Sequence, residues 1–214
     1  MAHDLTLWGV GTSRTIRAHW MLAELGLDYV CHPIGSRTGE TLTDEFKQLN
    51  PRHKIPVLQH NSLVLTESAA IIQYLSEAFG ENSDQLYVPR DAQGRAALNE
   101  WCYFIMSELD AGSLYVVRRH EGLAQIYGDA PIAVESAKTY FLHNLEAMVP
   151  RIARMPYLFG DRLSTADILL MTCLEWAALS GVSLPSVLSS YRQRVAQRPA
   201  FQAAMKRNFP QPQR

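Results

Sequence analysis

Over residues 1–80, short alternating apolar stretches and helical periods succeed one another. LTLW (5–8) alternates apolar and polar positions, as a strand with one buried face does. From Thr15, the apolar residues Ile16, Trp20, Leu22, Ala23 and Leu25 follow a helical period, and Gly26 sits where a helix-ending glycine belongs. DYVCHPI (28–34) reads as a second strand, so the start is β-α-β with parallel pairing expected. A polar loop and a short helical TDEFKQLN follow. IPVLQHNSLVL (55–65) then gives two strands around an Asn-Ser turn. TESAAIIQYLSEAFG is a helix with its start signal at Thr66, Glu67 and Ser68 and its stop at Gly80.

The texture changes in the polar stretch GENSDQLYVPRDA, and no clear strand follows it. DAQGRAALNEWCYFIMSELDAGSLYVVRRH reads as one long helical run, with Gly94 and Gly112 as weak points. PIAVESAKTYFLHNLEAMVPRIAR, STADILLMTCLEWAAL and SYRQRVAQRPAFQAAM continue the helical pattern. In LSTADI, Ser164 and Asp167 make a capping box with Leu163 and Ile168 as its staple, a folding signal rather than a chemical one. The expected organisation is a mixed α/β domain over 1–80, a linker over 81–91 and an all-helical domain over 92–214.

Composition adds mainly exclusions. In 214 residues, 20 Lys and Arg nearly balance 21 Asp and Glu. That balance gives no concentrated basic face for nucleic acid. No apolar run approaches the ~20 residues of a membrane span, and the N-terminus lacks a signal-peptide pattern. Cys31, Cys102 and Cys173 stand singly in apolar sequence, as reduced core thiols of a cytoplasmic protein do. Neither they nor the seven histidines show metal-ligand spacing, so no metal site is expected.

Three stretches carry possible chemistry. In WGVGTSRTIRAHW the hydroxyls of Thr12 and Ser13 stand at a helix start, either as caps or as donors to an anion. Arg14 and Arg17 read most simply as exposed helix residues. In NPRHKIPVL, Pro56 opens a strand with a bond that is the cheap place for a cis peptide, and Lys54 and Ile55 precede it. In TESAAI, the N–H groups of a helix start favour an anion, and the Glu67 carboxylate can hold a cation beside it. An amino-acid terminus, carboxylate next to ammonium, suits that pair.

Taken in order, these stretches, together with FGDRLSTADI and YRQRVAQRPAF, resemble the cytosolic glutathione transferase family over nearly the whole chain. The resemblance implies an α/β thioredoxin-like N-terminal domain, an all-α C-terminal domain, a homodimer, and glutathione as co-substrate. It implies that Ile55, before a cis Pro56, pairs its backbone with the cysteinyl part of glutathione. By the same resemblance Glu67 and Ser68 grip the γ-glutamyl end, Lys54 is a contact, and the glycyl end lies loosely near Glu40 to Thr43. Trp8 stands where other branches carry a catalytic tyrosine, and hydroxyls stand where thiol-active branches carry cysteine. This leaves a serine/threonine-type branch, with Thr12 or Ser13 as the thiolate stabiliser. The electrophile site is expected near Val10 and the helix beginning at Asp91, with Trp101, Tyr103, Met106 and Tyr115 as lining candidates for which core packing is the plainer reading, Trp101 especially.

The implied activity is conjugation of the glutathione thiolate to small hydrophobic electrophiles, a detoxifying chemistry. The alternatives are a glutathione-dependent peroxidase, dehalogenase or isomerase, and a non-catalytic binding or assembly module. The hydroxyl has little to supply. Lowering a thiol from about 8.5 to about 6.5 requires ~2.7 kcal/mol. A hydrogen bond to a charged group contributes about 1.5–3 kcal/mol, and a helix start about 0.3–2 kcal/mol.

Overall fold

A computed structural model describes residues 4–210. The chain forms two compact units, one running to Val88 and taking in residues from Ala196 onward, the other spanning Pro89–Val195. The first is built on a four-stranded sheet of β1 (Leu5–Trp8), β2 (Val30–His32), β3 (Val57–His60) and β4 (Leu63–Thr66), in the order β2-β1-β3-β4. β1 pairs parallel with β2 and antiparallel with β3, and β3 pairs antiparallel with β4. This is the thioredoxin-like arrangement that the β-α-β-α-β-β-α order calls for.

Alternation along β1 decides its faces. Leu5 and Leu7 are buried, as are Trp20, Met21 and Leu22 of α1 (Thr15–Glu24) and Ile71, Ile72 and Leu75 of α3 (Ser68–Phe79). Trp8 turns to the other side. It stacks on His32 at 3.8 Å, meets Phe46 of α2 (Asp44–Leu49), and donates Nε1–H to Gln59 Oε1 at 2.6 Å. Gly26 has φ 62° and closes α1, with Leu27 N–H donating to Leu22 O, as its position in the sequence predicts.

The second unit departs from a simple reading at one place. The long helical run begins as α4 (Ala92–Phe104) but continues as wide π turns over Ile105–Leu114 and Arg118–Gly122. Gly112 is a cause: a Cβ there would lie 2.9 Å from Ser107 O, while Ser113 Oγ donates to Glu108 O at 2.6 Å. Further on come α5 (Pro131–Glu146) and α6 (Thr165–Leu179). The capping box at the start of α6 is present, with Leu163 and Ile168 fully buried beside it.

The run expected over SYRQRVAQRPAFQAAM is two helices, not one. α7 (Ser186–Ala196) stops, Arg198 is extended, and Pro199 starts α8 (Pro199–Asn208). α8 packs on α1 within the sheet-containing unit, with the Phe201 ring edge-on to Trp20 at 4.8 Å. No helix among the described residues is long and apolar enough to cross a membrane.

Candidate functional site

The loop from β1 to α1 is tied down from several sides. Gly9 N–H donates to His32 O, Val10 N–H to Ile34 O and Gly11 N–H to Asn208 O. Gly9 has φ 113°, and a Cβ there would lie 2.5 Å from Ile55 Cβ. Only glycine lets this loop come so close to the Ile55–Pro56 turn, whose peptide bond is cis.

Thr12 resolves the choice between cap and anion donor by allowing both. Its Oγ1 accepts from Thr15 N–H at 3.0 Å and Arg14 N–H at 3.3 Å, and lies 3.0 Å from Thr15 Oγ1. Two lone pairs taken by backbone N–H groups leave this oxygen only its proton to offer. Arg14, at the formal cap position, makes no side-chain cap bond. The half-buried Ser13 hydroxyl makes no hydrogen bond among the described residues.

The Ile55 backbone N–H and C=O likewise make no hydrogen bond among the described residues, which leaves an unpaired edge beside the loop. Asn50, buried, shapes the approach to it by donating Nδ2–H to Lys54 O and accepting Arg52 N–H. The Lys54 side chain is exposed. The exposed Glu40 carboxylate accepts from Thr38 Oγ1–H and Gly35 N–H, which together hold its pKa below the ordinary value. Thr41 is buried and Thr43 caps α2.

At the start of α3, Glu67 has φ 67°, in the region a non-glycine residue rarely adopts. Such a residue persists where its surroundings fix it, and it clusters at ligand sites. The exposed Glu67 carboxylate pairs with Arg52 at 3.0 Å, and Arg52 also reaches Thr66 Oγ1. Ser68 is nearly buried, and its Oγ accepts from Arg17 Nη1 at 3.1 Å. That leaves the Ser68 O–H and the first N–H groups of α3 as donors. Arg17 is fully buried, against the expectation of an exposed helix residue. The helical period puts it on the same face as Trp20 and Met21, a signal that was available in the sequence.

Sequence reasoning missed three other groups here. Arg52 lies in an irregular loop with no signature of its own. Asn208 reaches Thr12 across 196 residues, donating Nδ2–H to Thr12 O at 3.1 Å and accepting Thr15 Oγ1–H at 2.6 Å. His19 sits buried under the loop between Gly9 O at 3.0 Å and Tyr29 OH at 2.7 Å. Burial pushes its pKa down to about 4, helped by the Arg207 charge and opposed by the bond to Gly9. The neutral ring donates Nε2–H to the carbonyl and accepts from the tyrosine.

Of the electrophile candidates, Val10 is buried within this loop. In the other unit, Tyr103 is 63% exposed, contrary to core packing, whereas Met106 and Tyr115 are half-buried on the π-wound stretch and its continuation. Trp101 is half-buried, edge-on to Phe104 and under the Arg151 guanidinium.

Comparison with known proteins agrees with this geometry. Residues 3–77 match the family described as glutathione S-transferase, N-terminal domain. The chain is 32% identical to glutathione S-transferase D7 of Drosophila melanogaster over 194 residues, 86% of this chain and 81% of that protein. It superposes on the theta class glutathione S-transferase of Xanthomonas axonopodis pv. citri, solved with glutathione bound, over 98% of both chains, with TM-score 0.77 and 25% identity. A glutathione transferase from Methylococcus capsulatus is similar over 95% of this chain and 98% of that one, with TM-score 0.77 and 28% identity. The chain therefore belongs to the glutathione S-transferase family of enzymes.

Proposed function

We propose that the protein joins the thiolate of glutathione to an electrophilic carbon of a small hydrophobic substrate, and that it belongs to the serine/threonine-type branch. The observation that carries this reading is the Thr12 hydroxyl at the start of α1, with both lone pairs filled by backbone N–H groups. A hydroxyl so held donates toward an anion. One such bond contributes about 1.5–3 kcal/mol, and the helix start adds about 0.3–2 kcal/mol. Together these cover the ~2.7 kcal/mol needed to ionise the thiol near pH 6.5. The sulfur lone pair then forms the S–C bond while the leaving group departs with its bonding electrons.

The binding roles follow the chemistry of the donors. The free edge of Ile55 suits the cysteinyl amide, Ser68 and the α3 N–H groups suit the γ-glutamyl carboxylate, and Glu67 suits its ammonium. Lys54 supplies a cation for the far carboxylate. Glutathione bound to the Xanthomonas relative supports the same ligand here. The exposed Ile132 and Tyr140 of α5, set among Glu135, Ser136, Thr139 and His143, offer a mixed surface to a second copy in a homodimer. That Cys31, Cys102 and Cys173 are joined in no disulfide supports a reducing, cytoplasmic setting.

The decisive experiment is an ultraviolet difference titration of the protein with glutathione against pH, followed by a panel of aryl halides, epoxides and hydroperoxides. Thiolate absorbance well below the free thiol's pKa, with turnover of a carbon electrophile, is the expected result. Turnover of hydroperoxides alone replaces conjugation with peroxide reduction. No binding of glutathione overturns the reading.

A further inference from the structure

We propose that Asn208, the last residue of α8, is a positioning residue for the reaction: by holding the Thr12 backbone and Thr15, it fixes the Thr12 hydroxyl oxygen at the place from which its proton passes from Thr15 to the glutathione sulfur. The inference rests on the glutathione reading above and extends it to a residue 196 positions away in the chain. Asn208 is fully buried. Its amide meets two groups with opposite needs. Thr12 O can only accept, and receives Nδ2–H at 3.1 Å; the Thr15 hydroxyl has one proton, and Oδ1 takes it at 2.6 Å. A third bond, from Gly11 N–H to the Asn208 carbonyl at 2.8 Å, fastens the backbone just before Thr12.

The proton count follows from these distances. Thr15 Oγ1 also lies 3.0 Å from Thr12 O, but that carbonyl already receives Asn208 Nδ2–H and Ile16 N–H. With its proton directed to Asn208, Thr15 Oγ1 turns its lone pairs to Thr12 N–H and to Thr12 Oγ1–H, each at 3.0 Å. The Thr12 proton thus rests on a neutral oxygen. A thiolate is a stronger acceptor and draws it away, while the oxygen stays pinned by Thr15 N–H and Arg14 N–H. An amide is the one side-chain group of this length that offers a donor and an acceptor in a fixed plane. Leucine keeps the volume and removes both; aspartate keeps the acceptor and removes the donor.

The test measures the ionisation midpoint of glutathione bound to the full-length protein by ultraviolet difference absorbance. It compares the wild type, Asn208→Leu, Thr12→Ala and the double variant, with thermal melts to confirm folding. The expected result is a midpoint raised by about half to one pH unit in Asn208→Leu, which is about three- to tenfold less thiolate at a fixed pH below it. In the Thr12→Ala background, Asn208→Leu shifts the midpoint no further. If Asn208→Leu does not fold, Asn208→Ala, which removes both groups without adding a charge, is read in its place. An unchanged midpoint, or an equal shift in both backgrounds, overturns the role for Asn208 and leaves the glutathione reading intact. A wild type that binds glutathione without early ionisation overturns the activated-thiolate reading, and this one with it.

Discussion

Arg198 grips Glu24 with both arms of its guanidinium, Nε to Oε1 at 2.7 Å and Nη2 to Oε2 at 2.6 Å, across 174 residues of sequence. The Glu24 side chain is only 5% exposed and also receives the Trp20 indole N–H at 2.7 Å. The pair fastens the start of α8 to the end of α1, while Asn208 fastens the other end of α8 to the start of α1. Removing one partner strands a largely buried charge. Arg198→Ala is expected to lower stability by about 3 kcal/mol in urea unfolding. Arg198→Lys is expected to recover less than half of that, because a point charge cannot reproduce the fork.

This anchoring was the least legible part of the fold. The alternation of LTLW, the helical stripe ending at Gly26 and the Asn-Ser turn are local patterns, and the sheet and first helices follow from them. Pro199 also leaves a local mark, but the surrounding apolar period runs through it, so the break between α7 and α8 is hidden in SYRQRVAQRPAF. Of the site, Gly9, Thr12, Pro56, Glu67 and Ser68 stand at turns and helix starts that sequence reveals. Arg52 and Asn208 do not. Each bonds to a partner distant in the chain, and nothing in the residues flanking either one encodes that partner.

Thr12 and Ser13 are separable by rate. If Thr12 donates to the sulfur, Thr12→Ala lowers kcat for conjugation about ten- to a hundredfold at pH below the wild-type midpoint, the loss of one hydrogen bond to a charged group. Thr12→Ser keeps the donor and retains most of the rate. Ser13→Ala is expected to leave it nearly unchanged, since its hydroxyl holds no part of the loop. Initial rates with a chromogenic aryl halide check all three; the reverse order assigns the role to Ser13.

Gly9→Ala tests the approach of the two loops. The added methyl would lie 2.5 Å from Ile55 Cβ, on a backbone at φ 113° that alanine rarely adopts. Both effects act against the native loop, so a stability loss of more than about 2 kcal/mol is expected. Because Ile55 must move, glutathione affinity is expected to fall with it. Calorimetric titration of the variant with glutathione, at a temperature where it remains folded, reads the second effect apart from the first.

His19 gives the fold a pH dependence with a definite sign. Its pKa falls from 6.5 in the unfolded chain to about 4 in the folded protein, chiefly through burial. Between those values the unfolded chain binds a proton that the folded protein does not, so stability falls as pH falls. The contribution of the neutral ring is fully present above pH 6.5, and about 3 kcal/mol is lost by the time pH reaches 4. Urea unfolding at a series of pH values across this window should show the slope, and His19→Gln, which does not titrate, should flatten it. The same protonation leaves Tyr29 OH facing an N–H in place of the lone pair it donated to, while the bond to Gly9 O survives. Acid should therefore loosen the tyrosine before it loosens the loop, and Tyr29→Phe is expected to reduce the slope less than His19→Gln does.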